Sequence, residues 1–415
     1  MGPEIILTVL LASSIGAAIG TFTGMVPGIH VNTAAAVLLG STSLFGSLFS
    51  FSSGIECAVL ISCCIFSASA VHSFVDFVPS VFIGVPDADD ALSVLPGHRL
   101  FLQGRAMTAV RAAAIGSIVG STAALLLAIP LQWIMLSGGT GIVDRMTIGI
   151  IFLALSVIVI TSAKPHISLL LLAVTGIMGF AISDWRIPCT GILGESTLLF
   201  PLLTGLFGIP PLLEEISPHG RVAQTDDGTD PVGPVPGIKG VLTGLMAGWF
   251  PGITATVGAA LTSAFTEERD PARFIAMTAS IGTVTSVFSV VTLSVSGSGR
   301  SGTAMAVKEI IGDSLTGFCS EAFLAILISI AFASLLGYII TIQCGKAMSR
   351  VSGSIPETVL NNAVLMLIVA LVLLLCGPFG LAVLVISAAV GLVPPAAGIG
   401  RICLTGCLML PVLFG

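Results

Sequence analysis

Charge is scarce in this chain. Of its 415 residues only 9% are charged, while 55% are hydrophobic and the mean hydropathy is +1.10. A soluble domain carries about 25% charged residues, so this chain cannot cover itself with a hydrated surface. A basic cluster is also missing, and the net charge of −6 excludes a nucleic-acid footprint. Strands of alternating polarity are absent, which disfavours a β-barrel. The nine cysteines form no CxxC pair and have no nearby histidine, so they read as small buried hydrophobes rather than metal ligands or disulfides. No positive segment precedes the first apolar run, "MGPEIILTVLLASS", which therefore reads as a membrane helix rather than a signal peptide.

What remains is a succession of apolar runs about 20 residues long, the length of a membrane-spanning helix. The fold class expected is an all-α polytopic protein of the plasma membrane. The runs fall near 4–24, 29–49, 54–84, 107–137, 146–162, 167–183 and 195–209, then near 240–250, 253–266, 273–297, 315–342, 357–376, 378–395 and 402–415. Between the two sets lies a polar stretch rich in Pro, Gly, Asp and Ser, the composition of a linker. The expected organisation is a first repeat over 1–213, a linker over 214–237 and a second repeat over 238–415.

Three landmarks recur across the linker in the same order, which argues for duplication. "GTFTGMVPGIHVNT" at 20–33 aligns without a gap on "GLMAGWFPGITAT" at 244–256. "VFIGVPDADDALSVLPG" from Val81 matches the polar interruption "VTLSVSGSGRSGTAMAV" from Val291. "LLFPLLTG" at 198–205 matches "LMLPVLFG" at 408–415. No Lys or Arg precedes Arg99, after which Arg105 and Arg111 follow, while the second half has Arg269 and Arg273 one segment earlier. Cytoplasmic placement of both clusters implies halves of opposite orientation.

Proline followed by glycine breaks a helix, and broken backbone at membrane depth is tolerated only where protein or water covers it. One such break is commonly a plain kink. Two at equivalent places are the pattern of secondary transporters, whose half-helix ends attract an anion near the midplane. Candidate substrate-binding residues are therefore Pro27, Gly28, His30, Asn32 and Thr33 in one half. Their counterparts are Pro251, Gly252, Thr254 and Thr256 in the other.

At these residues the chain resembles the large membrane subunit of the tripartite tricarboxylate transporters. That family has a Gly-rich element with a Pro-Gly break, similar to "GTFTGMVPGI". It also has a second interruption similar in position to "GVPDADDALSVLPGHRLFLQGRA", and the likeness extends to "LLFPLLTGLFGIPPLLEEI". The resemblance implies a carboxylate transporter driven by an H⁺ or Na⁺ gradient, served by a small membrane subunit and a periplasmic binding protein. The family's second interruption is usually neutral, whereas Asp87, Asp89 and Asp90 stand here. The Pro-Gly pair is also similar to one in a family of polyprenyl-phosphate lipid translocases, so an anionic lipid phosphate is the second substrate class.

Charged groups complete the expected site. Ser298, Gly299, Arg300 and Ser301 form a flexible run around an arginine whose planar fork suits a carboxylate or phosphate; the alternative is a loop arginine that sets topology. Asp90 stands opposite Arg300 in the alignment, and Asp87, Asp89 and Asp90 read either as ion-coupling groups or as a solvated loop. His72 and Asp76, four residues apart, read either as proton carriers or as a structural pair. A membrane enzyme using those aspartates with His98 lacks a nucleophile, so no catalytic residue is expected. No metal or cofactor is expected beyond a coupling H⁺ or Na⁺. Expected partners are the anionic substrate and membrane lipids, and a homodimer is compatible with the reading.

Overall fold

Proline placement sets where the principal helices begin and end. Helix α1 (Pro3–Met25) has proline in its first turn, where the missing N–H costs nothing, and ends at Val26. The residue before a proline is driven to extended geometry, and Val26, ahead of Pro27, has φ −103° and ψ 102°. A computed structural model describes residues 2–26, 35, 38–39, 57–83, 94–184, 189–191, 194–196, 198–214, 223–250, 255, 258–259, 262, 268, 270–297, 301–352 and 357–414.

The first half continues with α2 (Cys57–Val75), α3 (Phe77–Ile83), α4 (Val94–Leu102) and α5 (Ala106–Ile134). A wide turn over Met135–Gly139 joins α5 to α6 (Thr140–Ile160), and α7 spans Pro165–Asp184. A short hairpin pairs Cys189–Gly191 with Gly194–Ser196. Short helices α8 (Leu199–Leu203) and α9 (Ile209–Glu214) follow. The second half has α10 (Val235–Trp249), α11 (Pro271–Ser296), α12 (Gly302–Ile311), α13 (Glu321–Ser352), α14 (Glu357–Gly391), α15 (Val393–Ala396) and α16 (Gly406–Phe414). Seven helices among the described residues are long and apolar enough to cross a membrane, so the chain is an all-α polytopic membrane protein with one small hairpin.

Two expected boundaries fall at glycines. The runs at 107–137 and 146–162 are separate helices that meet at a kink, where Gly138 has a non-helical φ of 119°. The runs at 357–376 and 378–395 likewise meet at a kink, at Gly377 (φ 65°) ahead of Pro378.

Six of the helices pack as two trios. On α1, a Cβ at Gly16 or Gly20 would collide with the carbonyls of Cys64 and Ala68, and one at Gly24 would lie 3.1 Å from the His72 carbonyl oxygen. On α10, a Cβ at Gly244 or Gly248 would lie 2.9 Å from Ile281 O and 3.1 Å from Thr285 O. Small residues every fourth position let backbones approach this closely, so α1 lies parallel on α2, and α10 parallel on α11.

The third member of each trio comes from the other half. α13 joins α1 and α2 through buried hydroxyls: Ser67 donates to Ser13 Oγ (2.9 Å), Ser13 to Ser329 O (2.9 Å) and Ser329 to Cys63 O (3.0 Å). α5 joins α10 and α11, where Gly116 meets Ala276, Thr283 donates to Ser117 O (3.1 Å) and Gln132 reaches Ser294. Along α5 and α13 the contacts run in opposite order, Ser121 with Ser334 and Val110 with Gly345. The two trios are therefore antiparallel. At their centre lie α2 and α11, whose membrane-length windows are 89% and 78% buried against 33–50% for the other spans.

Candidate functional site

Both duplicated breaks end a helix against the central pair. Phe250, before Pro251, closes α10 at φ −89° and ψ 122°, matching Val26 at the end of α1. Each cap donates its N–H four residues back, Val26 to Phe22 O (3.2 Å) and Phe250 to Met246 O (2.8 Å). Gly24 holds the first end against the His72–Asp76 turn of α2, and Gly248 holds the second against Thr285 and Phe288 of α11. Between these places α2 and α11 touch, with Ser73 Oγ 3.5 Å from Ser286 Oγ.

On the α2 side the surroundings are ionisable. His72 is buried, and its Nδ1 lies 3.0 Å from Thr23 Oγ1. Thr23 Oγ1 also lies 3.2 Å from the Gly20 carbonyl oxygen, to which its O–H can donate. Asp76 follows α2 in a turn, because Pro79 has no N–H to return to Val75. The helical path nevertheless continues, as Asp76 N–H donates to His72 O (3.0 Å) and Ser80 N–H to Asp76 O (3.3 Å). His72 and Asp76 thus keep their expected common face, and both are buried.

On the α11 side only hydroxyls occupy the corresponding turns. Thr285 donates to Ile281 O (2.8 Å) and Gly244 O (3.3 Å), and Thr292 donates to Phe288 O (2.9 Å) and Gly248 O (3.0 Å). The site is asymmetric in charge although its two helix ends match.

Of the remaining expected site residues, Ser301 is an N-cap: its Oγ accepts the Ala304 N–H (3.1 Å) and starts α12. Pro27, Gly28, His30, Asn32, Thr33, Asp87, Asp89 and Asp90 lie outside the described residues, as do Pro251, Gly252, Thr254, Thr256, Ser298, Gly299 and Arg300. Among the described residues, no cluster of His, Cys, Asp or Glu could hold a metal ion. Cys63, Cys64, Cys403 and Cys407 are buried, as expected of small hydrophobes.

Two polar elements were not foreseen. Gln132, fully buried, donates to Ser294 Oγ (3.0 Å) and Gly317 O (3.2 Å), and its Oε1 accepts Cys319 N–H (3.0 Å). It fixes the end of α11 just before the Ser298–Ser301 run. Its only sequence signal is a single amide inside the apolar run "AIPLQWIML". The second is the linker, which is stapled to the turn between α4 and α5. Gln224 Nε2 donates to Phe101 O (3.0 Å) and its Oε1 accepts Ala106 N–H (3.0 Å), while Thr225 N–H donates to Gly104 O (2.8 Å). Asp226 accepts from Nε and Nη2 of Arg111 at 2.9 and 3.0 Å.

The Arg111 hydrogen bonds hold the Asp226 carboxyl below its usual value of 3.8, with a smaller pull from Lys346 on α13. A depressed folded-state pKa stabilises above the unfolded value and is lost as pH falls through the folded one. The staple should therefore persist down to about pH 4 and loosen only below the ordinary carboxylate range. Arg111→Gln should release it at neutral pH, seen as faster proteolytic cleavage within 223–234 and a cost of about 1 kcal/mol for this partly exposed pair. Unchanged cleavage would show that Gln224 and Thr225 suffice.

Comparison with known proteins gives this geometry a family. The model of the tripartite tricarboxylate transporter TctA family matches residues 10–406. An uncharacterized protein of Methanocaldococcus jannaschii is 30% identical over 307 residues, covering 72% of each chain. No solved structure matches. With nearly its full length matched, and with apolar spans fit to cross the bilayer repeatedly, the chain belongs to the TctA family and is a multi-pass plasma-membrane transporter rather than an enzyme.

Proposed function

We propose that this protein is a secondary transporter that carries a small carboxylate anion, tricarboxylates included, by alternating access around a midplane site between two inverted repeats. The repeats are 1–213 and 238–415, joined by the linker 214–237. One observation carries the reading: the helix ends at Val26 and Phe250, matched in sequence and in geometry, flank a single contact between oppositely directed α2 and α11. The exchange of α5 and α13 between trios supports it, as do the hydroxyl pairs Ser73–Ser286 and Ser121–Ser334, each separated by 213 residues. Equal separation across a contact is what a twofold axis between repeats produces.

The Pro-Gly segments 27–33 and 251–256 and the run Ser298–Ser301 supply the anion's ligands. His72 and Asp76 carry the coupling H⁺, or hold Na⁺ with Asp87, Asp89 and Asp90. The face bearing Arg105, Arg111, Lys239, Arg273, Lys346 and Arg350 is cytoplasmic by its positive charge, which puts the α1 N-terminus outside. The family's tripartite systems suggest a small membrane subunit and a binding protein as partners on that outer side.

Flux in proteoliposomes tests the proposal, comparing citrate, succinate and a polyprenyl phosphate under imposed H⁺ or Na⁺ gradients. Gradient-dependent uptake of a carboxylate is the expected result. Translocation of the lipid phosphate alone would replace the carboxylate with a lipid substrate, and no flux of any probe would refute the secondary-transport reading.

A further inference from the structure

The two most enclosed spans each have one opening, and the openings face each other. From Val59 to Phe82 every residue of α2–α3 is buried except Ser73. Between Ile275 and Ser294 on α11 only Gly282, Thr285 and Ser286 are not buried. Ser73 and Ser286 meet at 3.5 Å, and Thr285 and Gly282 lie one turn or less along the same helix. Surfaces turned to lipid in this protein are built of residues such as Leu7, Leu126, Phe152 and Ile160, all more than 45% exposed. The patch of Ser, Thr and Gly on the innermost helices differs from these surfaces, and hydroxyls and bare backbone gain nothing from hydrocarbon.

A contrast within the same molecule sharpens the point. Ser121 and Ser334 have the same 213-residue separation but lie 2.6 Å apart and are 1% and 2% exposed. That contact is a sealed joint. At 3.5 Å the Ser73–Ser286 contact is at the outer limit of a hydrogen bond. Ser73 Oγ donates to Ser69 O at 3.1 Å within its own helix, a local bond that rotation of the hydroxyl exchanges for another acceptor.

We infer that Ser73 and Ser286 are substrate ligands, each hydroxyl donating to a carboxylate oxygen of the transported anion at the crossing of α2 and α11, with Thr285 lining the same opening. This rests on the carboxylate reading above and adds to it residues outside the Pro-Gly motifs. Neutral donors suit such a site. They bind the anion in either orientation of the repeats and leave no buried charge when it departs. His72 adjoins Ser73 in sequence and its ring pairs with Thr23 near the α1 end, which puts the opening beside the ionisable turn of α2.

Thiol labelling of the full-length protein tests the inference, counted over the labelling of the unsubstituted parent. Ser73→Cys and Ser286→Cys should react with a charged methanethiosulfonate, and saturating citrate or succinate should slow both reactions about tenfold. Ser121→Cys should not react. Calorimetry supplies a second reading: Ser73→Ala and Ser286→Ala should each weaken binding of the carboxylate that the parent transports by about tenfold, as expected for one charge-assisted hydrogen bond. Ser73→Thr should restore part of it, whereas Ser121→Ala should lower the melting temperature without changing affinity. Inert thiols, or alanine variants that bind like the parent, would overturn the assignment while parent uptake of citrate or succinate left the transport reading standing. Thiols shielded by a polyprenyl phosphate and by neither carboxylate would overturn both.

Discussion

Asp76→Asn is expected to abolish accumulation driven by a proton gradient while leaving the protein folded and able to bind substrate. With one proton moved per anion, a gradient of about one pH unit supports about tenfold accumulation, and the variant should fall to near-equal concentrations on both sides. The motive is the placement of the carboxyl. It is 7% exposed at the end of α2, and its backbone N–H is bonded to His72, whose ring pairs with Thr23 beside the α1 end. An ionisable group at this depth is costly unless it is used or paired. Asparagine keeps the volume and removes the proton, so a packing role and a proton-carrying role separate cleanly. His72→Gln is expected to act in the same direction. If Asp76→Asn accumulates citrate under a proton gradient as the parent does, the His72–Asp76 turn is structural.

Arg300→Lys is expected to lower uptake at least about 30-fold, equivalent to about 2 kcal/mol of lost anion stabilisation. A planar fork grips a carboxylate through two parallel hydrogen bonds, which a lysine point charge cannot reproduce. Asp90, opposite Arg300 in the gapless sequence alignment, is proposed as its partner when no anion is bound. Asp90→Asn should then bind substrate more tightly and turn over more slowly. Measuring binding and flux separately distinguishes these effects. An Arg300→Lys variant that transports normally would make Arg300 a residue that only sets topology.

Sequence reading reached what local rules control. The spans were legible because apolar length is a composition property, and the helix ends at Val26 and Phe250 were legible because proline acts on the residue before it. The breaks at Gly138 and Gly377 were legible as gaps between apolar runs, because glycine admits the positive φ that turns the chain there. The exchange of α5 and α13 between halves was not legible at all, because nothing in an apolar helix names its neighbour. Gln132 and the Ser73–Ser286 opening were missed for a related reason. Serine is common in membrane helices, and only packing shows which of Ser67, Ser73 and Ser121 is sealed and which is open. The linker looked solvated by composition, yet Gln224, Thr225 and Asp226 tie it to the α4–α5 turn.

The central claim is that two matched helix ends hold one anion between oppositely directed halves. Electron cryo-microscopy of the purified protein in a lipid nanodisc with saturating citrate tests it most directly. The account predicts citrate density between the helix ends at Val26 and Phe250, within hydrogen-bond reach of Ser73 and Ser286, with the backbone leaving helical geometry at both ends. Citrate bound elsewhere, or helices running unbroken through Pro27 and Pro251, would contradict it.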